Sequence, residues 1–350
     1  MEKNPGADAT PATPATPEKR SLLKGAGLLL SISAISTVCF LLLVLWINWS
    51  KPRLQPEPLS PELKSIVDRI PGKSDALIYI GLKDIRESRL WKEIIPDSLK
   101  NAPLFQPEGQ LKALVKAAKI NPSLDIDTLL VSFKRHGYKE QNYLALVSGR
   151  LSQKLPESFL RTHSTTAEII GGHPCYSLND SLWLSSLSPT QIALTNNKKL
   201  LAEFLVPAGS FFKRDTLSVA LINKATYKSH LWFALPSAAW TSGALQSLTS
   251  TNEGIKTMGN LNRIQSLALS IKFKDGIEGQ SEWVYNTNQA AYFASTFLWG
   301  AVKLSQYTGT KTTEQTKELL DRIKIQQNLK SVIIHTDLPI ELFRADKQKK

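Results

Sequence analysis

The chain has 350 residues, length enough for about two domains, and 42% of them are apolar against 21% charged. That balance excludes a disordered, collagenous or disulfide-stapled protein. Cys39 and Cys175 are the only cysteines and form at most one bridge, so no disulfide framework reports the redox compartment.

Residues 1–21 contain Ala-Thr-Pro-Ala-Thr-Pro between Ala9 and Pro17 and no large apolar side chain between Met1 and Leu22, which predicts an extended, disordered tail. From Gly25 to Ser50 there is no ionisable side chain other than the Cys39 thiol, and Leu28 to Ile47 is dominated by Leu, Ile, Val, Ala and Phe. Twenty such residues in a helix cover about 30 Å, the thickness of a bilayer's hydrocarbon core. Trp46 and Trp49 fall at the end of the run where indoles favour the headgroup layer, and Lys24 and Lys51 bracket it. A single transmembrane helix over 22–50 is therefore expected.

The small-x-small pair Ala34 and Ser36 lies mid-helix and Cys39 lies deep in the run, which favours an uncleaved signal anchor over a cleaved or lipid-modified leader. Lys19, Arg20 and Lys24 on one side nearly balance Lys51, Arg53 and Lys64 on the other, so charge bias does not set the orientation. The short basic tail ahead of the apolar run predicts a cytoplasmic N-terminus and an extracytoplasmic C-terminal domain, in a bacterial inner membrane. Gly27 and Ser31 form one small-xxx-small pair, read as chance in an apolar helix.

Residues 51–61 carry Pro52, Pro56, Pro58 and Pro61 and read as a semi-rigid linker. The rest, 62–343, reads as an exported α+β domain built on a mostly antiparallel sheet with packed helices, followed by a basic tail at 344–350. Ala76–Leu82 is apolar on both faces and predicts a central strand. Asp84 is placed to cap a helix running to Ile95, and a second helix spans about Gln110 to Lys119 and stops at Asn121-Pro122. Strands at Thr128–Lys134 and Asn142–Gly149 and a helix near Pro156–Arg161 follow. Glu168 to Thr195 then predicts a meander of three strands with turns at Gly171-Gly172, Asn179-Asp180 and Ser188-Pro189.

A similar order returns: a strand at His230–Leu235, helices at Ser237–Leu248 and about Asn252–Gly259, a hairpin from Ile264 to Tyr285, and a helix from Asn288 to Ser305. The two pseudo-repeats, 70–162 and 230–305, express either a duplication or chance reuse of an element order. In the hairpin, Leu267, Leu269, Ile271, Phe273, Ile277, Trp283 and Tyr285 all occupy odd positions. A three-residue connection, Lys274-Asp275-Gly276, keeps them on one face by pairing Phe273 with Ile277 and predicts positive φ at Gly276. Gln289 to Val302 is apolar nearly all round; at about 21 Å it is too short to cross a bilayer and reads as a buried core helix. A charge-alternating helix over Thr312–Asn328, pairing Glu314 with Lys317 and Glu318 with Arg322, and a strand at Ser331–Thr336 close the domain.

Candidate chemistry is sparse. The histidines at 136, 163, 173, 230 and 335 form no His-x-x-x-His pair, and no Cys-x-x-Cys occurs, so no metal is predicted. His173 and Cys175 are two apart on a predicted strand, but Gly-Gly-His-Pro-Cys is equally good turn chemistry and no third partner is visible. Asp125 and Asp127 read as acids flanking the start of a strand, and Ser21-Leu22-Leu23-Lys24 as a chance match to Ser-x-x-Lys. No catalytic or cofactor-binding residue is assigned.

The 43 basic and 30 acidic side chains give +13, and only four and three of them precede residue 25, leaving 39 against 27 beyond it. Such a basic body favours an anionic surface over nucleic acid, because its basic residues are dispersed rather than interleaved with aromatics.

Ile70-Pro71, Asp75-Ala76 and the following strand to Leu82, then Ser88, Leu90 and Trp91, Asp125-x-Asp127, Tyr143 through Gly149-Arg150, Leu155-Pro156, Gly172 and Tyr176 are residues that carry a resemblance. In them the chain resembles an uncharacterised class of bacterial envelope proteins with one N-terminal anchor. The resemblance implies an exported, duplicated α+β domain with no assigned activity. The expected function is binding or assembly by a membrane-anchored envelope protein, with the lipid bilayer and either an anionic envelope surface or another membrane protein as partners. The competing expectations are an anchored extracytoplasmic hydrolase whose site is assembled from distant residues, such as His163, His173, His230 and Asp127, and a structural subunit of a larger membrane complex.

Overall fold

A computed structural model describes residues 35–40, 42, 58–100, 109–136, 140–179, 182–225, 230–241, 264–308 and 314–344. The chain divides into two units, Met1–Leu54 and Gln55–Lys350. In the first, residues 35–40 and 42 are helical, and Ile35, Val38, Phe40 and Leu42 are exposed. No helix among the described residues is long and apolar enough to cross a membrane. Most of the expected span 22–50 and of the expected linker 51–61, the tail 1–21, all of the tail 344–350 but Arg344, residues 242–248 of the expected helix Ser237–Leu248, and the expected helix at Asn252–Gly259 lie outside the described residues.

The second unit is α+β, with one twelve-stranded sheet in which every described pairing is antiparallel. Its strands are β1 Ala76–Gly81, β2 Ile126–His136, β3 Glu140–Gly149, β4 Thr166–Ile170, β5 His173–Asn179, β6 Leu182–Ser188, β7 Gln191–Thr195, β8 Leu231–Leu235, β9 Ile264–Phe273, β10 Gly276–Tyr285, β11 Ile323–Asn328 and β12 Ser331–Pro339. They lie in the order β11-β12-β10-β9-β8-β1-β2-β3-β7-β6-β5-β4. Outward from the central β1–β8 pair, both directions meet a hairpin, then the last strand of that half, then the strand before it. Tyr79 and Trp232, cross-strand partners in that pair, stack with ring centroids 5.6 Å apart.

The helices that matter below are α1 Pro61–Asp68, α2 Leu82–Glu87, α3 Arg89–Glu93, α4 Gly109–Ala117, α5 Pro122–Asp125, α6 Leu151–Lys154, α7 Glu157–His163, α8 Lys198–Leu205, α9 Thr216–Ala225, α10 Asn288–Thr308 and α11 Glu314–Asp321. Strand periodicity sorts side chains between two cores. On one face Leu130, Leu146 and Ala193 pack with Val67 of α1, Phe204 of α8 and Ile222 of α9. On the other, Val147, Ile192 and Leu184 pack with Leu114 of α4, Leu151 of α6 and Leu160 of α7.

Several expectations are corrected. The helix expected from Asp84 to Ile95 is two pieces: Gly81 occupies the first cap, and Ser88, in extended conformation, breaks the run and accepts from the Trp91 N–H at 3.2 Å. The meander has four strands rather than three, because the three turns join β4 to β7. The helix expected over Thr312–Asn328 ends at Asp321, and Ile323–Asn328 is β11. There Ile323 and Ile325 alternate with Lys324 and Gln326, a period of two, and Leu329 at φ +54° turns the chain into β12. The pairs Glu314–Lys317 and Glu318–Arg322 do form, at 3.0 and 3.2 Å.

The β9–β10 hairpin pairs Phe273 with Ile277, and Gly276 has φ +155°. A Cβ there would lie 2.1 Å from the Leu338 carbonyl oxygen. The even face is also covered: Ala268, Ser270 and Glu282 are buried, and Lys224 of α9 reaches Glu282 at 2.8 Å. Helix α10 departs furthest from expectation. It runs 21 residues, and it is not a buried core helix. Ala291, Ala294 and Ser295 face inward, small enough to let the helix lie close to the β10–β12–β11 layer, while Tyr292, Phe293, Phe297 and Trp299 are exposed.

Candidate functional site: an apolar pocket

A cavity among the described residues lies between α4 and the sheet. Its floor is one face of three adjacent strands: Leu129, Val131 and Phe133 of β2, Tyr143, Ala145 and Val147 of β3, and Ile192 and Leu194 of β7. Register makes this a grid, since Val131 pairs with Ala145 and Ala145 with Leu194, while Leu129 pairs with Val147 and Val147 with Ile192. Leu111, Leu114 and Val115 of α4 form the roof, and Ile120, Pro122, Ile126, Leu151 and Leu155 close the sides.

The cavity holds about 520 Å³, within the usual range for small-molecule sites. Of its sixteen lining residues only Tyr143 has a polar side chain, and burial pushes that phenol's pKa up, so it stays protonated at neutral pH. A space of about 150 Å³ lined this way stays dry and accepts benzene; this one has room for an aliphatic chain or a fused-ring hydrocarbon. It offers no charge and no nucleophile.

Around it, Asp125 is buried at the end of α5. Burial raises its pKa, but the Lys154 ammonium at 2.7 Å and the Asn121 N–H at 2.7 Å more than offset that and hold it below the usual carboxylate range. Arg150 adds a longer contact at 4.0 Å. Asp127 turns away to Arg86, at 2.7 Å. The two acids thus serve separate structural pairs. Gly149, at φ +145°, lets β3 pass the Asp125 carbonyl, where a Cβ would lie 2.2 Å from the oxygen.

The other residues singled out from sequence do not converge. His163 is exposed and stacks on Phe159 at 4.0 Å. His230 accepts from the Phe273 N–H at 3.2 Å, and burial lowers its pKa. His335 faces Gln280 across β10–β12, its pKa also lowered by burial. His136 ends β2. Cys175 is wholly buried in β5, its thiol donating to the His173 carbonyl at 3.5 Å, and burial pushes its pKa up, so no thiolate–imidazole pair forms. Among the described residues no group of three His, Cys, Asp or Glu side chains is placed to hold a metal ion. A second depression, about 470 Å³ and more open, is bordered by Glu157, Tyr176, Ser186 and Pro189 and includes none of the four residues expected of a hydrolase.

The sequence reading missed the pocket. Its signal was the alternation of large apolar residues at 129, 131, 133 and at 143, 145, 147, which marks a face needing cover but not the space left beneath that cover.

No protein-family model matches the chain, and no curated protein matches it. Solved structures similar to it include crystal form I of TP0453, at 11% identity and TM-score 0.42, covering 85% of this chain and 98% of that one, and crystal form IV of TP0453, at 12% identity and TM-score 0.40, covering 80% and 95%. Likeness at this level leaves the pocket to be read from its own residues.

Proposed function

We propose that the chain is a single-pass bacterial inner-membrane protein, anchored through residues 22–50 with the N-terminus cytoplasmic, whose extracytoplasmic domain acts by binding an apolar ligand in the pocket under α4. The observation that carries the binding reading is the lining: fifteen apolar residues and one tyrosine around about 520 Å³. Catalysis needs several converging polar groups with perturbed proton affinities, and the lining supplies one, the Tyr143 phenol, with no second group beside it, which favours binding over an anchored hydrolase. Burying an aliphatic chain there gains about 0.8 kcal/mol per methylene before the costs of association. The mirrored strand order on either side of β1–β8 supports reading 70–162 and 230–305 as related halves.

A photoactivatable fatty acid added to the full chain in nanodiscs, with adducts mapped by peptide mass spectrometry, tests the pocket. Adducts in 111–133 and 143–155 are expected. Adducts confined to the anchor would contradict the binding reading. For the orientation, alkaline phosphatase fused after Lys350 should be active and green fluorescent protein dark.

A further inference from the structure

Helix α10 carries its amphipathicity the wrong way round for a helix of a water-soluble body. At 100° per residue, Tyr292, Phe293, Thr296, Phe297, Trp299 and Gly300 fall on one side. The four aromatic side chains among them are between 49% and 56% exposed, whereas the sheet-facing Ala291 and Ala294 are 0% and 2% exposed. Tyr292 and Phe293 touch edge to face, ring centroids 6.0 Å apart, so the aromatic patch is continuous there. A contiguous patch of this kind marks an interaction site.

We propose that this outward face of α10 seats on the surface of a lipid bilayer. Composition favours lipid. Indole and phenol rings have one apolar and one hydrogen-bonding end and concentrate at the membrane interface. Charge agrees: from Asn288 to Thr308 there is no acidic residue and one basic residue, Lys303. Its ammonium lies 3.7 Å from Asp321 of α11. No carboxylate of the helix itself has to be desolvated or held against anionic headgroups, and the chain as a whole is +13. The helix lies along the surface rather than across it, because its small-residue side is already used against β10, β12 and β11. The inference shares the anchor with the proposed function and is independent of the pocket.

The test uses the full chain with Cys39→Ser and Cys175→Ser, reconstituted into vesicles of phosphatidylcholine with a minority of phosphatidylglycerol. Nitroxides are placed at Thr296→Cys on the aromatic face and, as a reference, at Lys199→Cys on α8. Collision with oxygen and with a water-soluble nickel chelate should put the Thr296 label about 5–10 Å below the phosphates and the Lys199 label in water. Adding Phe293→Glu and Phe297→Glu, both at exposed positions, should return the Thr296 label to the aqueous value. A Thr296 label as nickel-accessible as the Lys199 label, in chains that float with the vesicles, would overturn the inference while leaving the anchor intact. So would a label shielded from both reagents and dipolar-broadened by a neighbour, since the face would then be covered by a second copy. Chains that fail to float would overturn the anchor and this face together.

Discussion

Lys154 Nζ lies 2.7 Å from Asp125 Oδ2 and ties α6 to α5 beside the apolar pocket, whose sides are formed by Pro122 and Ile126 near one partner and Leu151 and Leu155 near the other. Lys154 also donates to the Lys119 carbonyl at 2.8 Å, just after α4. One ammonium thus joins three of the segments that enclose the cavity.

Replacing Lys154 with Met should cost about 1–3 kcal/mol, the penalty for leaving a buried acceptor without its charged partner. Tryptophan-detected thermal unfolding of the full chain in nanodiscs checks it. The pH dependence has a definite sign. Because the folded-state pKa of Asp125 is lowered, its contribution to stability is fully present above the unfolded value, about 3.9, and is lost as pH falls through the lower folded value. Asp125→Asn should therefore be less stable near neutrality and lose less on acidification than the parent. A parallel loss in both proteins would refute the pairing.

Ala145 sits at the centre of the pocket floor, paired with Val131 and Leu194. Ala145→Trp should fill part of the cavity, abolish adduct formation by the photoactivatable fatty acid, and leave stability unchanged or raised by about 0.5–2 kcal/mol, as cavity filling commonly does. Unchanged labelling in a folded variant would place the ligand elsewhere.

The hairpin turn makes a sharper demand on one residue. Gly276→Ala would put a methyl group 2.1 Å from the Leu338 oxygen and 2.8 Å from the Pro339 Cα, both backbone atoms. The β10–β12 pairing has to shift, at a cost of about 1–3 kcal/mol, visible as a lowered unfolding midpoint. A neutral substitution would contradict the positive φ.

Cys175 should be inert. In full-length Cys39→Ser protein, maleimide labelling at mildly alkaline pH is expected only after denaturation, since the thiol is buried and its pKa is raised. Rapid labelling of the native chain would revive a reactive role for the His173–Cys175 pair.

Local patterns carried much of the fold. The odd-numbered apolar positions from Leu267 to Tyr285 were enough to choose the hairpin connection and the conformation of Gly276, because register slips by one residue invert a strand's faces. The continuously apolar Ala76–Leu82 was enough to place β1 in the middle of the sheet, although the strand ends at Gly81 and Leu82 opens α2. The pocket was not legible, because it depends on β7 returning beside β3 and on α4 covering that face, which brings residues as far apart as Leu111 and Ile192 to one cavity. Helix α10 misled for a different reason. A segment apolar nearly all round does not say which side faces the sheet, and the small residues Ala290, Ala291, Ala294 and Ser295, which let the backbone approach, outweighed the aromatic bulk. In β11, the two-residue alternation of Ile323 and Ile325 prevailed over a helical charge pattern that ran only to Arg322.

The most direct measurement is mass spectrometry of the apolar molecules extracted from the purified full chain and from its Ala145→Trp variant, prepared in parallel. An aliphatic or other hydrocarbon-rich species near one per chain in the parent and absent from the folded variant is the expected result. Identical extracts from the two proteins, holding only the lipids that surround any anchor, would show that the space beneath α4 binds nothing.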